Sequence, residues 1–414
     1  MSEQKLIDHL FRHQYGKMVS ILTRIFGLTH LGIIEDAVQD TFIQAMVSWR
    51  NGLPENPEAW LTKAAKNRTI DIFRKLSADK NRVLKIESGP AAIAISELFL
   101  DTEIEDSQLR MIFTACHPVL NSKDQISFAL KTVSGFSSKE IASALLLKEE
   151  TVKKRLVRAR KAIAGKEISF QIPIGKELPE RLNRVLEVIY LIFNEGFHSN
   201  KKESLIRKDL CGEAIRLCKM LLKNTLTRQP STYALFALLC FHSARLDSKM
   251  NTANEIIDLK NQDRKKWYFP LIKLGSEAMT KAVETDTFTS YHYEATIAME
   301  HLKAPTFAAT NWAKILNWYE QLYIIQPSPF NLLNQAMVQI QQEKFKEALS
   351  LLKQIQPKEL EQRAYLYYGA YAEYFALTGV QKKALESIDT ALDLVKNEAE
   401  RQFLLKKKLE IKSG

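Results

Sequence analysis

Apolar residues along this 414-residue chain recur at spacings of three and four, and Gly and Pro are sparse, so the pattern predicts an all-α protein. Residues 4–27 form a first amphipathic segment ending near Gly27. From about Gly32 to Trp49, Ile34, Ala37, Val38, Thr41, Phe42, Ala45, Met46 and Trp49 share one helical face. Opposite them stand Asp36, Gln39, Asp40 and Gln44, a short acidic and amide row. Asn56 precedes a proline and so avoids the helical region, which lets a helix open at Pro57 or Glu58 and run to about Lys75. The period assigns Leu61, Ala65, Ile72 and Leu76 to its buried face. Lys63, Lys66, Asn67, Asp71 and Arg74 occupy the opposite arc, flanked by Arg68 and Lys75, with Ile70 inside the polar arc.

Past Asp79 the periodicity fades. Gly89-Pro90 and the Ala-rich residues after them suggest a linker, and Asp101 to Asp106 is acidic. Helical pattern resumes from Leu109 through Ala129, broken at His117-Pro118, where the histidine suits a structural or capping role. It continues into the most informative stretch, Gly135 to Ile163. Ser137 is an N-cap with Glu140 three residues on, and Phe136 is placed to staple onto Ile141. In the helix that follows, Val152, Leu156, Ala159 and Ile163 form an apolar stripe and Lys154, Arg158 and Lys161 project from the other side. A capped short helix followed by a basic one is how a helix-turn-helix offers its recognition helix to the major groove. An ordinary surface helix with a solvated charged face is the plainer alternative.

Turn residues from Gly165 to Pro179 mark a second boundary, beyond which the helices are rich in aromatics. Residues 181–198 read as a strongly apolar helix. Segments 330–356 and 366–394 can be laid on each other thirty-six residues apart, with Ala336, Phe345 and Ala348 matching Ala372, Gln381 and Ala384. Small residues at fixed places let paired helices approach closely, and the period is near that of a tetratricopeptide repeat. A generic helical bundle would share much of this pattern.

The net charge of +11 fits a nucleic-acid partner. Between Trp60 and Lys85 eight basic residues face two acidic ones. Four cysteines in a chain this long are no disulfide framework, and Cys211 and Cys218 lack a completing ligand pair, so all four read as buried thiols. No metal or cofactor is called for, and no phosphate loop or nucleophile–base arrangement points to an enzyme. There is no apolar run long enough for a membrane span and no signal-peptide core. The expectation is a soluble cytoplasmic protein.

Three stretches, in order, resemble an RNA polymerase sigma factor of the extracytoplasmic-function group. IEDAVQDTFIQA is similar to the region that docks on the polymerase clamp, NPEAWLTKAAKNRTIDIFRK to the regions engaging the promoter −10 element, and SSKEIASALLLKEETVKKRLVRARKAI to the reader of the −35 element. LRMIFTACHPVL and ELPERLNRVLEVIYLIFNEGF resemble a subgroup with a long C-terminal tetratricopeptide-like extension. The resemblance implies residues 1–80 as sigma region 2, 81–106 as a linker, 107–165 as region 4 and 180–414 as a helical extension. It implies core RNA polymerase and promoter DNA as partners and hence nucleoid association when active, while the repeat character of the extension offers a surface for a regulatory protein. Asp36, Gln39, Asp40 and Gln44 would meet the polymerase. Lys63, Lys66, Asn67, Arg68, Asp71, Arg74 and Lys75 would meet the −10 element. Lys153, Lys154, Val157 and Arg158 would enter the −35 groove, with Arg160 and Lys161 on phosphate.

Two positions depart from the family pattern. Leu146 stands where many members have Gly in the turn, and Lys148 where a Ser or Thr N-cap is usual, with Glu149 and Glu150 compensating through the helix dipole. The competing readings are a polymerase-independent helix-turn-helix regulator, which has no use for the acidic row, and a repeat scaffold that binds no DNA.

Overall fold

A computed structural model describes residues 3–80, 101–145, 147–166, 168–197, 207–251 and 255–413. Among them the regular structure is helical, apart from a single antiparallel bridge between Met250 and Ile256. The chain divides into two compact units, residues 1–192 and 193–414.

The first unit begins with α1 (Glu3–Phe26), α2 (Leu31–Ser48) and α3 (Pro57–Lys80). Gly27 ends α1 with φ 92°, a conformation that favours glycine. On α2 the expected stripe is buried from Ile34 to Ala45, and Trp49 closes it. Met46 is a correction, being 38% exposed. At 100° per residue it lies about 100° from the middle of the stripe, at its edge rather than within it.

The buried face of α3 also differs from the expected one. Leu61 and Ala65 are buried, but beyond them the burial passes to Thr69, Ile70 and Phe73, and Ile72 is only half-buried. The second half of the helix has a neighbour besides α2. Phe73 stacks on Phe26 of α1 at 4.7 Å and meets the His30 ring edge-on at 4.9 Å. The Leu76 side chain and the residues from 81 to 100, including the expected linker at Gly89-Pro90, lie outside the described residues.

The acidic stretch expected to end that linker is helical, opening α4 (Asp101–Ala115). Arg24 of α1 bonds Glu103 at 2.5 Å and Asp106 at 3.3 Å, which gives those carboxylates a packing role. After α4 the His117 Nδ1 accepts the Val119 N–H at 3.1 Å, so this histidine caps its own turn. Then come α5 (Ser122–Thr132), α6 (Ser138–Ala144) and α7 (Glu149–Ala164). Gly16 on α1 faces the end of α5 so closely that a Cβ there would sit 2.1 Å from the Val133 carbonyl oxygen. Only glycine permits that approach.

The helix α8 (Leu178–Phe197) spans the division between the units. In its first turns Arg181 donates to the Phe113 carbonyl at 2.7 Å, which keeps this end with the first unit.

The second unit contains α9 (Lys208–Lys223), α10 (Pro230–Ser243), α11 (Phe269–Ala282), α12 (Ser290–Lys303) and α13 (Trp312–Ile325). It ends with α14 (Pro329–Gln341), α15 (Phe345–Gln354), α16 (Ala364–Leu377), α17 (Gln381–Leu394) and α18 (Glu398–Ser413). The helix α10 is apolar on every side and is packed by α9, α11 and α12. From α13 onward the helices pack chiefly on their sequence neighbours. Phe345 and Gln381 each begin the second helix of a hairpin, and Ala336, Ala348, Ala372 and Ala384 are all buried where the hairpin helices meet. All four cysteines are buried free thiols, and burial raises the thiols of Cys211 and Cys240 to about 12.

Candidate nucleic-acid interface

The outward face of α2 carries all four residues of the acidic and amide row. Asp36, Gln39, Asp40 and Gln44 are exposed because the helix turns its apolar stripe to α1 and α3. The same face displays Ile43 and Val47, 53% and 61% exposed, and Met46 at its border. Sequence reasoning missed these three. The signal was available in the period, since positions 43 and 47 fall opposite the core stripe, but an apolar residue there has no reason to be noticed until its exposure is known. A face mixing carboxylates, amides and solvated aliphatic side chains has the composition of a protein-docking surface.

On α3, Lys63, Asn67, Arg68, Asp71, Arg74 and Lys75 are exposed and Lys66 is half-buried. Several of them have intramolecular partners, Lys66 included. Arg68 Nη2 bonds Asp40 Oδ2 at 2.9 Å, so the acidic row of α2 and the basic arc of α3 meet along one edge. Arg74 and Asp71 lie 3.8 Å apart one turn along α3. Both pairs are solvated and weak.

The helices α6 and α7 form the paired unit with the capping box in place. Ser137 Oγ accepts the Glu140 N–H at 3.2 Å and Glu140 Oε2 accepts the Ser137 N–H at 2.8 Å. The α6 C-terminus is closed by a 2.9 Å bond from the Leu147 N–H to the Ala142 carbonyl. Leu146 itself lies outside the described residues. Lys148 is the N-cap of α7, makes no side-chain cap bond, and leaves Glu149 and Glu150 in the first turn. Lys153 bonds Glu149 at 3.1 Å and Glu150 at 3.3 Å, and these hydrogen bonds raise its pKa.

The stripe Val152, Leu156, Ala159 and Ile163 is buried, which rotates Lys153, Lys154, Val157, Arg158 and Lys161 together onto one shallow outward concavity. Val157 is 47% exposed among these cations, where an apolar side chain gains nothing from the protein itself. Lys154 and Lys161 have no bonded acceptor among the described residues. Arg158 does. Its Nε and Nη2 grip the buried Asp124 at 2.7 and 2.5 Å, a bidentate bond that raises the guanidinium's pKa and braces α7 against the first turn of α5.

Arg160 occupies a different place from the one expected. It points away from the concavity, and its Nε bonds Glu35 Oε2 at 2.6 Å. Glu35 is buried on α2, and the Tyr15 hydroxyl of α1 donates to its other oxygen at 3.3 Å. Burial raises the Tyr15 phenol, with the Glu35 field adding to the effect. On Arg160 burial opposes the charge, but the Glu35 carboxylate outweighs it and the pKa is raised. Lys131 of α5 lies 4.5 Å over the Tyr15 ring and is lowered by burial. One polar network therefore joins α1, α2, α5 and α7 inside the first unit. The Arg160 Nε is held by Glu35, so this residue braces α7 against α2 inside the first unit, with the rest of its side chain partly exposed.

A model described as sigma-70 region 2 matches residues 10–78, and one described as sigma-70, region 4 matches residues 110–163. A family of unknown function (DUF6596) matches residues 181–283. An uncharacterised protein of Rhizobium meliloti (strain 1021) is 30% identical over 420 residues, covering 98% of this chain and 95% of its own length. The ferric citrate uptake sigma factor FecI of Escherichia coli (strain K12) is 28% identical over 152 residues, 37% of this chain and 85% of that protein. The ECF RNA polymerase sigma factor SigE of Mycolicibacterium smegmatis is 27% identical over 164 residues, 38% of this chain and 59% of that one. No solved structure matches the chain.

Proposed function

The chain belongs to the extracytoplasmic-function group of sigma-70-family sigma factors and carries a C-terminal extension, and from that premise we propose a division of labour among its exposed faces. The outward face of α2 docks on core RNA polymerase, with Asp36, Gln39 and Gln44 giving orientation and Ile43 and Val47 giving apolar contact. The basic arc of α3 holds phosphates and the separating strand at the −10 element through Lys63, Lys66, Asn67, Arg68, Arg74 and Lys75. The concavity of α7 reads the −35 element, with Lys153, Lys154 and Lys161 on phosphate or base edges and Val157 against a thymine methyl. No covalent step is involved; the protein couples two binding events.

The observation carrying this reading is the solvated α2 face, because a DNA-binding regulator without a polymerase partner has no use for it. Binding to core polymerase tests it. Asp36→Arg combined with Gln39→Arg is expected to abolish capture of core polymerase while circular dichroism and promoter-fragment affinity stay near those of the parent. Asp40 is left intact because its substitution would also release Arg68. Capture of polymerase by the double variant at parental affinity overturns the assignment.

The C-terminal extension, on this reading, regulates the factor in cis, and its stacked hairpins supply the protein-binding surface such folds offer. Arg181 and its turn of α8 pack on the first unit, so a truncation suited to the question ends after Phe197 rather than before α8. Its transcription in vitro is expected to differ from that of the full chain by several-fold. Equal activity of the two removes the proposed regulation.

A further inference from the structure

Cations withdrawn from water are tolerated where carboxylates or carbonyls face them. One cluster in the second unit is only partly compensated. Arg245, just after α10, has no acceptor on its guanidinium among the described residues, and its Nε is sealed from solvent. Its backbone is fixed from the other side. Ser248 Oγ donates to the Arg245 carbonyl at 2.8 Å, and Trp267 Nε1 donates to that hydroxyl at 3.0 Å. The Arg264 guanidinium lies 4.5 Å over the Trp267 ring. Its Nη1 donates to the carbonyls of His301 and Ala304 at 2.8 and 2.7 Å, while Nη2 is buried with no acceptor.

Two imidazoles complete the cluster. His301 packs edge-on to Trp312, and His242 lies 5.0 Å from the Phe197 ring; the Nδ1 of each is buried and unpartnered. Lys249 sits over the same Phe197 ring and donates to the Phe197 carbonyl at 3.2 Å. These five residues come from three stretches of chain, around 242–249, at 264 and at 301, and each is partly exposed while Arg245 Nε, Arg264 Nη2 and the Nδ1 of both histidines are sealed.

The electrostatics agree. Burial, and then the Arg264 charge, lower Arg245 to about 10, with the Tyr319 phenol as the opposing influence. Burial followed by neighbouring cations lowers Lys249 to about 7 and both His242 and His301 to about 3. The Arg245 charge lowers Lys249, His242 and His301, and Arg264 lowers Arg245 and His301, so an anion placed among them would relieve several groups at once.

We propose that this cluster binds a small oxyanion, the phosphate or carboxylate group of a diffusible ligand, gripped by the guanidinium of Arg245 and the free Nη2 of Arg264. Guanidinium groups match both oxyanions bidentately, and the neutral imidazoles can supply further N–H donors. The proposal makes the extension a ligand-responsive domain and stands independently of the assigned DNA and polymerase faces, since its test reads binding and not transcription.

The test uses the full chain, titrated with inorganic phosphate and separately with malonate, against chloride at equal ionic strength. Calorimetry is expected to give saturable binding at one site per chain. At a hundred times Kd, thermal unfolding should show a rise in Tm of about 5 °C. Response to phosphate alone identifies a phosphate ester as the ligand, response to malonate alone a carboxylate, and response to both a general oxyanion site. Arg245→Met is expected to lose that rise while melting higher than the parent in chloride, because an uncompensated buried charge is gone. No saturable response of the unmodified chain to either anion overturns the proposal, as does an undiminished response in Arg245→Met.

Discussion

Substituting Arg160 by Ala lowers the unfolding free energy of the first unit by about 3 kcal/mol, the lower end for removing one partner of a buried ion pair. The low end applies because the Arg160 side chain keeps 32% exposure while Glu35 keeps 2%. What remains after the substitution is a carboxylate inside the protein, held among the described residues by the Tyr15 hydroxyl and facing Lys131, which lies over the Tyr15 ring. Denaturant unfolding measures the loss directly. Arg160→Met combined with Glu35→Leu is expected to recover most of it, because two apolar groups of similar volume leave no orphan charge. If Arg160 instead served DNA, the single variant would unfold like the parent and weaken promoter binding. The expected result is the reverse, with the salt dependence of −35 binding unchanged.

Removing Lys154 and Lys161 has the opposite signature. Both ammonium groups lie on the outward concavity of α7 with no bonded acceptor among the described residues, so stability should be unaffected. Each phosphate contact contributes about 0.9 to the slope of log affinity against log salt. The double Ala variant is expected to flatten that slope by about 1.8 and weaken −35 binding about thirtyfold at 0.15 M salt. Fluorescence anisotropy on a promoter duplex across a salt series reads both quantities. A slope equal to the parent's would place the DNA elsewhere. Arg158→Ala supplies a contrast within the same surface. It strands the buried Asp124 and should lower Tm as well as affinity, so its effect on DNA alone cannot be read from a single assay.

The division between these two predictions follows a line the amino-acid pattern does not draw. Periodicity along α7 separates Val152, Leu156, Ala159 and Ile163 from the remaining residues, and the stripe is buried as the spacing demands. It says nothing of what the polar side meets. Of the six residues expected at the −35 element, Arg160 is taken by Glu35 and Arg158 is anchored by Asp124, partners 125 and 34 positions away. Lys153 is neutralised by glutamates one turn back, which local spacing does foretell. On α3 the same limit appears as a displaced face. Ile70 and Phe73 are buried because α1 returns to cover them, a neighbour invisible from the helix's own sequence.

By itself, then, the order of residues determined the helices, their caps and their apolar stripes, because a capping box or a 3.6-residue period is settled within a few positions of chain. It also carried the three motifs by which the chain's family is recognised. Tertiary structure alone decided which charges are committed inward and which remain for a partner. An ion pair such as Glu35 with Arg160, or an uncompensated group such as Arg245, is defined by what the fold brings within a few ångströms and by how much water it excludes. Coulomb energy depends on distance and dielectric, and neither quantity is written locally in the sequence.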